Sequence, residues 1–151
     1  MENNILTLES FSKLGSDTYQ DEYSTDGTFS LGNASYLAQI FPAKGDAISA
    51  EMIELMNSTI EQVTQDAAKI NEIIYQHYKV CEEQNCTDPV PLGLQIDEIG
   101  QYIKDRIIIV GDPCDVKPCV EHRVYFGIEW DEEHQLYLEF IDNEWQISDC
   151  L

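Results

Sequence analysis

The stretch from residue 49 to residue 77, SAEMIELMNSTIEQVTQDAAKINEIIYQH, decides the fold. Apolar residues recur in it at alternating intervals of three and four, which places them on one side of an α-helix: Ile53, Met56, Ile60, Val63, Ala67, Ile70 and Ile74, followed by His77. Asp46 or Ser49 can cap the start of this helix, and the turn-rich residues 85–89 end it. Further apolar residues widen the face beyond a coiled-coil seam, which favours a helix lying across a sheet: Ile48, Met52, Leu55 and Ile73.

Runs of β-branched and aromatic residues on both sides of this helix predict strands. Before it, residues 19–25 and 28–31 predict a hairpin around Asp26-Gly27, and residues 36–41 predict a third strand. After it, residues 96–104 predict a shorter helix. The strands of an antiparallel meander are then predicted at residues 107–110, 123–130, 136–141 and 145–147.

These elements predict an α+β fold, in which an antiparallel sheet made of the N-terminal hairpin and the C-terminal meander packs against one long and one short helix. We expect a single domain over residues 1–151, with a β-rich part (1–44), a helical part (46–105) and a β meander (106–151). In its core, residues of the long helix should face residues of the meander: Ile60, Val63, Ala67 and Ile70 against Phe126, Ile128, Leu138 and Phe140.

The chain is strongly acidic, with 29 Asp and Glu against 8 Lys and Arg and a formal net charge of −21. Since 43% of the residues are hydrophobic, the charge is expected on the surface of a folded protein rather than in a disordered chain. Such a surface repels phosphate backbones, which argues against direct nucleic-acid binding, and it repels anionic lipids, which argues against a membrane-surface role. The charge favours a basic protein partner, or serves solubility alone.

The sequence predicts a cytoplasmic protein. Its first residues lack the basic and apolar segments of a secretory signal, and no stretch approaches the roughly 18 apolar residues of a membrane helix. The five cysteines are therefore expected as thiols or metal ligands rather than disulfides: Cys81, Cys86, Cys114, Cys119 and Cys150.

Two groups of residues have the composition of metal sites. Cys81 and Cys86, with Cys114 and Cys119, offer four thiolates to a zinc ion. However, each pair is separated by four residues rather than the usual two, and acidic neighbours oppose thiolate formation, so the pattern favours free thiols and no cofactor. The second group is an acidic hairpin tip that can hold a metal or move a proton: Asp131, Glu132, Glu133 and His134.

Enzymatic activity is not expected. The phosphate-binding and nucleophile motifs with a known mechanism are absent, and His77 lies on the apolar stripe, where a hydrogen-bonded core histidine is the better interpretation.

Residues 130–134, Trp-Asp-Glu-Glu-His, resemble the signature of a family of uncharacterised bacterial domains, in which a strand ends in Trp-Asp-x-Glu-His-Gly-Leu. Members of this family carry an upstream helical segment similar to residues 61–80, including Ile74-Tyr75-Gln76-His77-Tyr78. The likeness spans about residues 47–151 and departs from the pattern at Gln135, where the family has glycine. The resemblance implies a genetic setting beside polymorphic toxins and an immunity role.

Charge and resemblance together predict an inhibitor that covers the active cleft of a basic toxin such as a nuclease. Its contact residues are expected at the hairpin tip and in an adjacent patch: Asp131, Glu132, Glu133, Glu82, Glu83, Asp112 and Asp115. A DNA-mimicking phage inhibitor would use the same electrostatics. The alternative is a small metal-binding protein that uses either Cys81/Cys86/Cys114/Cys119 or the Asp131–His134 cluster.

Overall fold

A computed structural model describes residues 6–16, 21–42, 45–87, 89–111, 122–131 and 135–148. The described residues form eight strands: β1 (Phe11–Ser16), β2 (Asp21–Thr25), β3 (Phe29–Leu31), β4 (Ala34–Ile40), β5 (Ile103–Val110), β6 (His122–Ile128), β7 (Leu136–Ile141) and β8 (Glu144–Ile147). Two α-helices lie between β4 and β5, namely α1 (Ala50–Gln65) and α2 (Ala67–Glu83). Single turns of 3-10 helix precede β1 and β5, at Leu8–Ser10 and Ile99–Tyr102. No helix in these ranges is long and apolar enough to cross a membrane.

The strands form one sheet in the order β1-β2-β4-β5-β6-β7-β8, and β3 pairs with β4 outside this path. β4 and β5 are parallel, from Leu37 opposite Ile107 to Ile40 opposite Val110, whereas the other pairs are antiparallel. Parallel neighbours need a crossover connection, and α1 and α2 supply it. The predicted α+β class is confirmed, but the sheet is mixed rather than antiparallel throughout, because residue periodicity does not reveal strand direction.

The N-terminal strands exist, but they pair differently from the prediction. β2 lies between β1 and β4, whereas β3 forms a hairpin with β4 around Gly32-Asn33. Gly32 has a φ of +62°, a conformation that glycine adopts without strain. The predicted hairpin between residues 19–25 and 28–31 is therefore wrong in its partners, since Asp26-Gly27 joins two strands that pair elsewhere. Residues 19 and 20 lie outside the described ranges.

The single long helix of the prediction is divided at Asp66, whose backbone φ of −103° and ψ of 18° leave the helical region. α1 begins after Ser49, a predicted cap, and the Ser49 hydroxyl accepts a hydrogen bond from the Met52 backbone N–H at 3.1 Å. Ala67 opens α2 and is exposed, so its assignment to the core was wrong. The apolar stripe is interrupted where the two helices join.

The shorter predicted helix is replaced by turns and the 3-10 helix at Ile99–Tyr102, and β5 begins at Ile103 rather than at residue 107. Ile99 and Ile103 are buried, but Ile96 is exposed, so the helical spacing of these three residues was misleading. The three C-terminal strands are confirmed, with β7 at its predicted bounds. A two-residue turn at Asp142-Asn143, both with positive φ, joins β7 to β8.

The core lies between the two helices and one face of the sheet. Helix residues on the buried side are Met56, Ile60, Val63, Ile70, Ile74 and Tyr78, and the sheet residues packed in the same core include Val124, Phe126, Ile128 and Leu138. Phe140, predicted among them, is only partly buried. This packing fixes the end of α2 against the turn that follows β6.

Candidate functional site

The last turns of α2 meet the turn after β6, and Trp130 is the anchor of this contact. Its side chain is 1% exposed and packs edge-on against Tyr78, with 5.6 Å between ring centroids. Gln135 closes the turn, because its Nε2 donates to the carbonyl of Asp131 at 2.8 Å and its Oε1 accepts from the backbone N–H of Ile128 at 2.9 Å. Gln135, the position at which the sequence departs from the family pattern, thus links the backbone of Asp131 to that of Ile128.

His77, Cys81 and Asp131 form a cluster in which one potential metal ligand atom from each lies within 4.8 Å of the others. His77 and Cys81 are four residues apart in α2 and share a helix face, with 3.9 Å between Cys81 Sγ and His77 Nδ1. Asp131 reaches the same ring from the sheet, with 4.0 Å between its Oδ2 and His77 Nε2. The structure therefore brings together Cys81, from the predicted group of cysteines, and Asp131, from the predicted hairpin-tip group. His77, predicted to be a core histidine, lies beside both.

The protonation of His77 follows from its hydrogen bond with Trp130. The indole N–H of Trp130 lies 3.0 Å from Nδ1 of His77, and an indole N–H is only a donor. Nδ1 must therefore be the acceptor, so the proton of the neutral ring is on Nε2, the nitrogen that faces Asp131. A metal ion at His77 would have to displace either the indole or this proton.

Cys81 is held as a neutral thiol. Burial raises its pKa to about 12, and the neighbouring Cys86 thiol and the Asp131 carboxylate act in the same direction. Cys86 is exposed, and its Sγ donates to the carbonyl of Cys81 at 3.3 Å. Since the thiolate is the nucleophile and the metal ligand, this environment opposes both roles for Cys81.

The predicted contact residues fall into different environments. Asp131 is partly buried beside His77, and Glu83 is exposed at the end of α2. Glu82 is engaged within the chain, because its carboxylate accepts from Lys79 Nζ at 2.7 Å, from the Tyr78 hydroxyl and from the backbone N–H of Gly93. The bond from Lys79 is the main reason why the pKa of Glu82 is lowered. Other predicted site residues lie outside the described residues: Asp112, Asp115, Glu132, Glu133, His134, Cys114 and Cys119.

The outer face of α1 carries carboxylates that the sequence reading did not single out. Glu51, Glu54 and Glu61 are separated by three and seven residues, which puts them on one side of the helix, and all three are exposed. α1 contains no Lys or Arg. The same spacing rule that revealed the buried stripe could have revealed this acidic one on the opposite side.

Several of the few cations are already paired with carboxylates of the chain. Lys79 pairs with Glu82, Lys13 Nζ lies 3.5 Å from Oδ2 of Asp21, and Arg123 Nε lies 3.0 Å from Oε2 of Glu139. Lys79, Lys13 and Arg123 thus neutralise carboxylates in their own surroundings. The carboxylates of α1 have no cation on the same helix to neutralise them.

A groove of about 670 Å³ runs between α2 and the β7–β8 hairpin. α2 contributes Ile73, His77 and Val80 to it, and β8 contributes Trp145 and Ile147. Val80 is 51% exposed and Ile147 is 43% exposed, so the groove presents apolar surface to solvent. His77 therefore belongs both to the lining of the groove and to the cluster with Cys81 and Asp131.

No family model matches the chain, and no similar protein was found among the curated proteins or the solved structures. The resemblance of residues 130–134 to immunity-type domains stays a prediction.

Sequence reasoning also missed the contact between His77 and Trp130, which are 53 residues apart. No local pattern links them, because the contact depends on how α2 crosses the sheet. The sequence did identify each partner separately, His77 on the apolar stripe and Trp130 in the five-residue motif.

Proposed function

We propose that the chain is an acidic binding protein of the immunity type, which covers the active cleft of a basic toxin, such as a nuclease, in the cytoplasm. The observation that carries this proposal is the outer face of α1, where Glu51, Glu54 and Glu61 are exposed on a helix without a cation. A nuclease cleft that binds phosphates is basic, so an acidic face complements it in charge.

The net charge of −21 adds a long-range component to this complementarity. Summed charges of one sign steer an oppositely charged partner and raise the association rate by about 10- to 1,000-fold at low salt. The environment of Cys81 supports binding rather than covalent chemistry, since a buried neutral thiol is a poor nucleophile.

Co-expression with a toxin encoded beside the gene tests the proposal through growth of the host. Two double variants with the same change in net charge should then be compared, E54K/E61K on α1 and D97K/D105K at exposed positions elsewhere. We expect E54K/E61K to slow association by at least about tenfold at low salt, because it reverses the complementary face. The D97K/D105K control should have a smaller effect.

The experiment has two outcomes that contradict the proposal. Wild-type chain that neither protects the host nor binds the purified toxin would show that the chain is not its inhibitor. Equal slowing by the two double variants would show that net charge, and not the α1 face, is responsible.

Metal binding is the second candidate function, favoured by the ligand atoms of His77, Cys81 and Asp131. Zinc would have to remove the Cys81 proton and displace the Trp130 N–H or the Nε2 proton of His77. We therefore expect no stoichiometric zinc in protein purified without chelator. Zinc that elemental analysis finds in wild type and in the C150S control, but not in C81S, would favour the metal function instead.

A further inference from the structure

β8 is the last strand of the sheet, and its outer edge is open in the described part of the chain. The two-residue turn makes Ile141 and Glu144 a hydrogen-bonded pair, and such pairs alternate along an antiparallel ladder. The next hydrogen-bonded residues of this strand are Gln146 and Ser148, and the backbone N–H of Ser148 donates to the Tyr137 carbonyl at 2.7 Å. The backbone N–H and C=O groups of Trp145 and Ile147 therefore point away from β7.

β1 and β8, the first and last strands in the sheet order, differ in their protection against strand pairing. β1, at the other end, carries Lys13 and a register irregularity between Lys13 and Gly15, and both features hinder the addition of a strand. β8 reads Glu-Trp-Gln-Ile, pairs with β7 in regular register and contains neither lysine nor proline. Its edge therefore lacks lysine, proline and a bulge, and Glu144 is the one charged residue of the strand.

The groove between α2 and β8 lies beside this open edge. The Ile147 side chain lines the groove together with Ile73 and Val80 of α2. A strand added along β8 would extend the sheet beneath α2, so every second side chain of that strand would face these apolar residues. The β8 edge thus offers backbone hydrogen bonds to an added strand, and the groove offers apolar contacts to its side chains. Peptide recognition by strand addition combines the same two kinds of contact.

The charged residues around the groove determine which kind of partner it attracts. Among the described residues, Asp66, Glu72 and Glu144 also line the groove, against one lysine, Lys69. A second copy of this chain would bring a further net charge of −21 to the same edge, which opposes self-pairing. A segment with lysine or arginine between its apolar residues would instead be attracted.

We propose that the β8 edge and the adjoining groove bind an extended segment of a basic partner protein, which adds to the sheet as a strand and places alternate apolar side chains against Ile73, Val80 and Ile147. This proposal rests on the proposed function, because it assigns a contact surface for the basic partner. β8 has four residues, so a segment of similar length would pair with it.

A fluorescent eight-residue peptide of alternating valine and lysine is the probe, measured by anisotropy with the full chain. Two control peptides carry the same charge: one replaces valine with serine, and the other is N-methylated on one backbone edge. We expect the valine peptide to bind at least about tenfold more tightly than either control, since each control removes apolar contact or hydrogen bonds.

Variants of the chain locate the site. I147P removes the outward backbone N–H without removing a hydrogen bond to β7, and I147A is its matched control for the lost side chain. V80K leaves the edge backbone intact and places a cation in the groove, so it remains informative if I147P does not fold. We expect I147P and V80K to weaken binding of the valine peptide by about tenfold, and I147A by less.

The outcomes separate this proposal from the proposed function. If the valine and serine peptides bind equally and E54K/E61K weakens both, the edge proposal fails while the acidic binding function stands. Unchanged binding by both I147P and V80K also overturns the edge proposal. Concentration-dependent dimers of the chain that I147P abolishes would assign the edge to a second copy instead, and so would overturn the choice of a basic partner.

Discussion

The indole N–H of Trp145 donates to Oδ2 of Asp66 at 2.9 Å, which ties the last strand of the sheet to the junction of the two helices. The same oxygen accepts from Gln62 Nε2 at 2.7 Å. One carboxylate oxygen thus connects the end of α1, the start of α2 and β8. This carboxylate therefore helps to hold the start of α2 beside β8, where the groove lies.

Replacing Asp66 with alanine should lower the free energy of unfolding by about 1–3 kcal/mol at neutral pH, since hydrogen bonds to a charged acceptor are lost. The bond from Gln62, then that from Trp145 and the charge of Lys69, lower the pKa of Asp66 below its ordinary value of 3.8. A lowered pKa in the folded state contributes stability above the unfolded pKa, and this contribution is lost as the pH falls through the folded pKa. Urea unfolding at several pH values measures the difference.

Asp66→Asn is the control for Asp66→Ala, because it retains an acceptor oxygen without the charge. We expect its stability to lie between wild type and the alanine variant, and the difference between wild type and both variants to shrink in acid. A difference that stays constant from neutral pH to below 3.8 would contradict the assigned role of the charge.

Trp130→Phe tests the bond that sets the proton position on His77. The substitution retains an aromatic ring against Tyr78 but removes the donor to Nδ1, and should cost about 1–3 kcal/mol, because an acceptor that is partly buried is left unsatisfied. Nitrogen-15 NMR should show the Nε2-protonated ring of His77 in wild type and a mixture of the two tautomers in the variant. Finding the Nδ1-protonated ring in wild type would exclude the bond as described.

The sequence was informative wherever a residue pattern is local. The apolar spacing from Ile53 to Ile74 located the helical region, and alternation located β6 and β7. The apolar spacing did not reveal the break at Asp66, because a break in a helix leaves the spacing of the apolar residues almost unchanged. It also could not give the parallel pairing of β4 with β5, since the relevant residues lie about seventy positions apart.

The candidate site was less predictable than the fold. Cys81 lies beside His77 through the helical spacing of α2, but only the packing of α2 on the sheet brings Asp131 to them. The open edge of β8 and its groove depend on which strand ends the sheet, and strand order is not encoded in periodicity. The acidic stripe of α1, in contrast, required only the helical spacing that had already been applied to the buried side.

Arg123 and Glu139 form a buried ion pair across β6 and β7, with exposed fractions of 5% and 2%. Arg123 also donates from Nη1 to the carbonyl of Gly111 at 2.9 Å. Arg123→Met should lower the free energy of unfolding by about 3–5 kcal/mol, because it removes the cation that compensates the charge of the buried Glu139 carboxylate.

The double variant R123M/E139L should recover most of the stability lost in Arg123→Met, since an apolar pair of similar volume does not require the burial of a charge. Urea unfolding of the wild type, both single variants and the double variant gives the coupling energy. A double variant as unstable as the sum of the single variants would show that the two residues act independently.

Cys81 should react much more slowly than Cys86 with a thiol reagent, because Cys81 is buried and its pKa is raised to about 12, whereas Cys86 is exposed. Partial alkylation at pH 8, followed by peptide mass spectrometry, measures the order of modification, and unfolding in urea should abolish the difference.

A thiol pKa that is raised in the folded state contributes stability below the unfolded value near 9.0, and this contribution is lost as the pH rises through the folded value. Wild type should therefore lose stability relative to Cys81→Ala in alkali above pH 9.0, with Cys86→Ala as the matched control. Modification of Cys81 before Cys86 in the folded chain would contradict the burial and the raised pKa of Cys81, and would renew the case for a reactive or metal-binding cysteine.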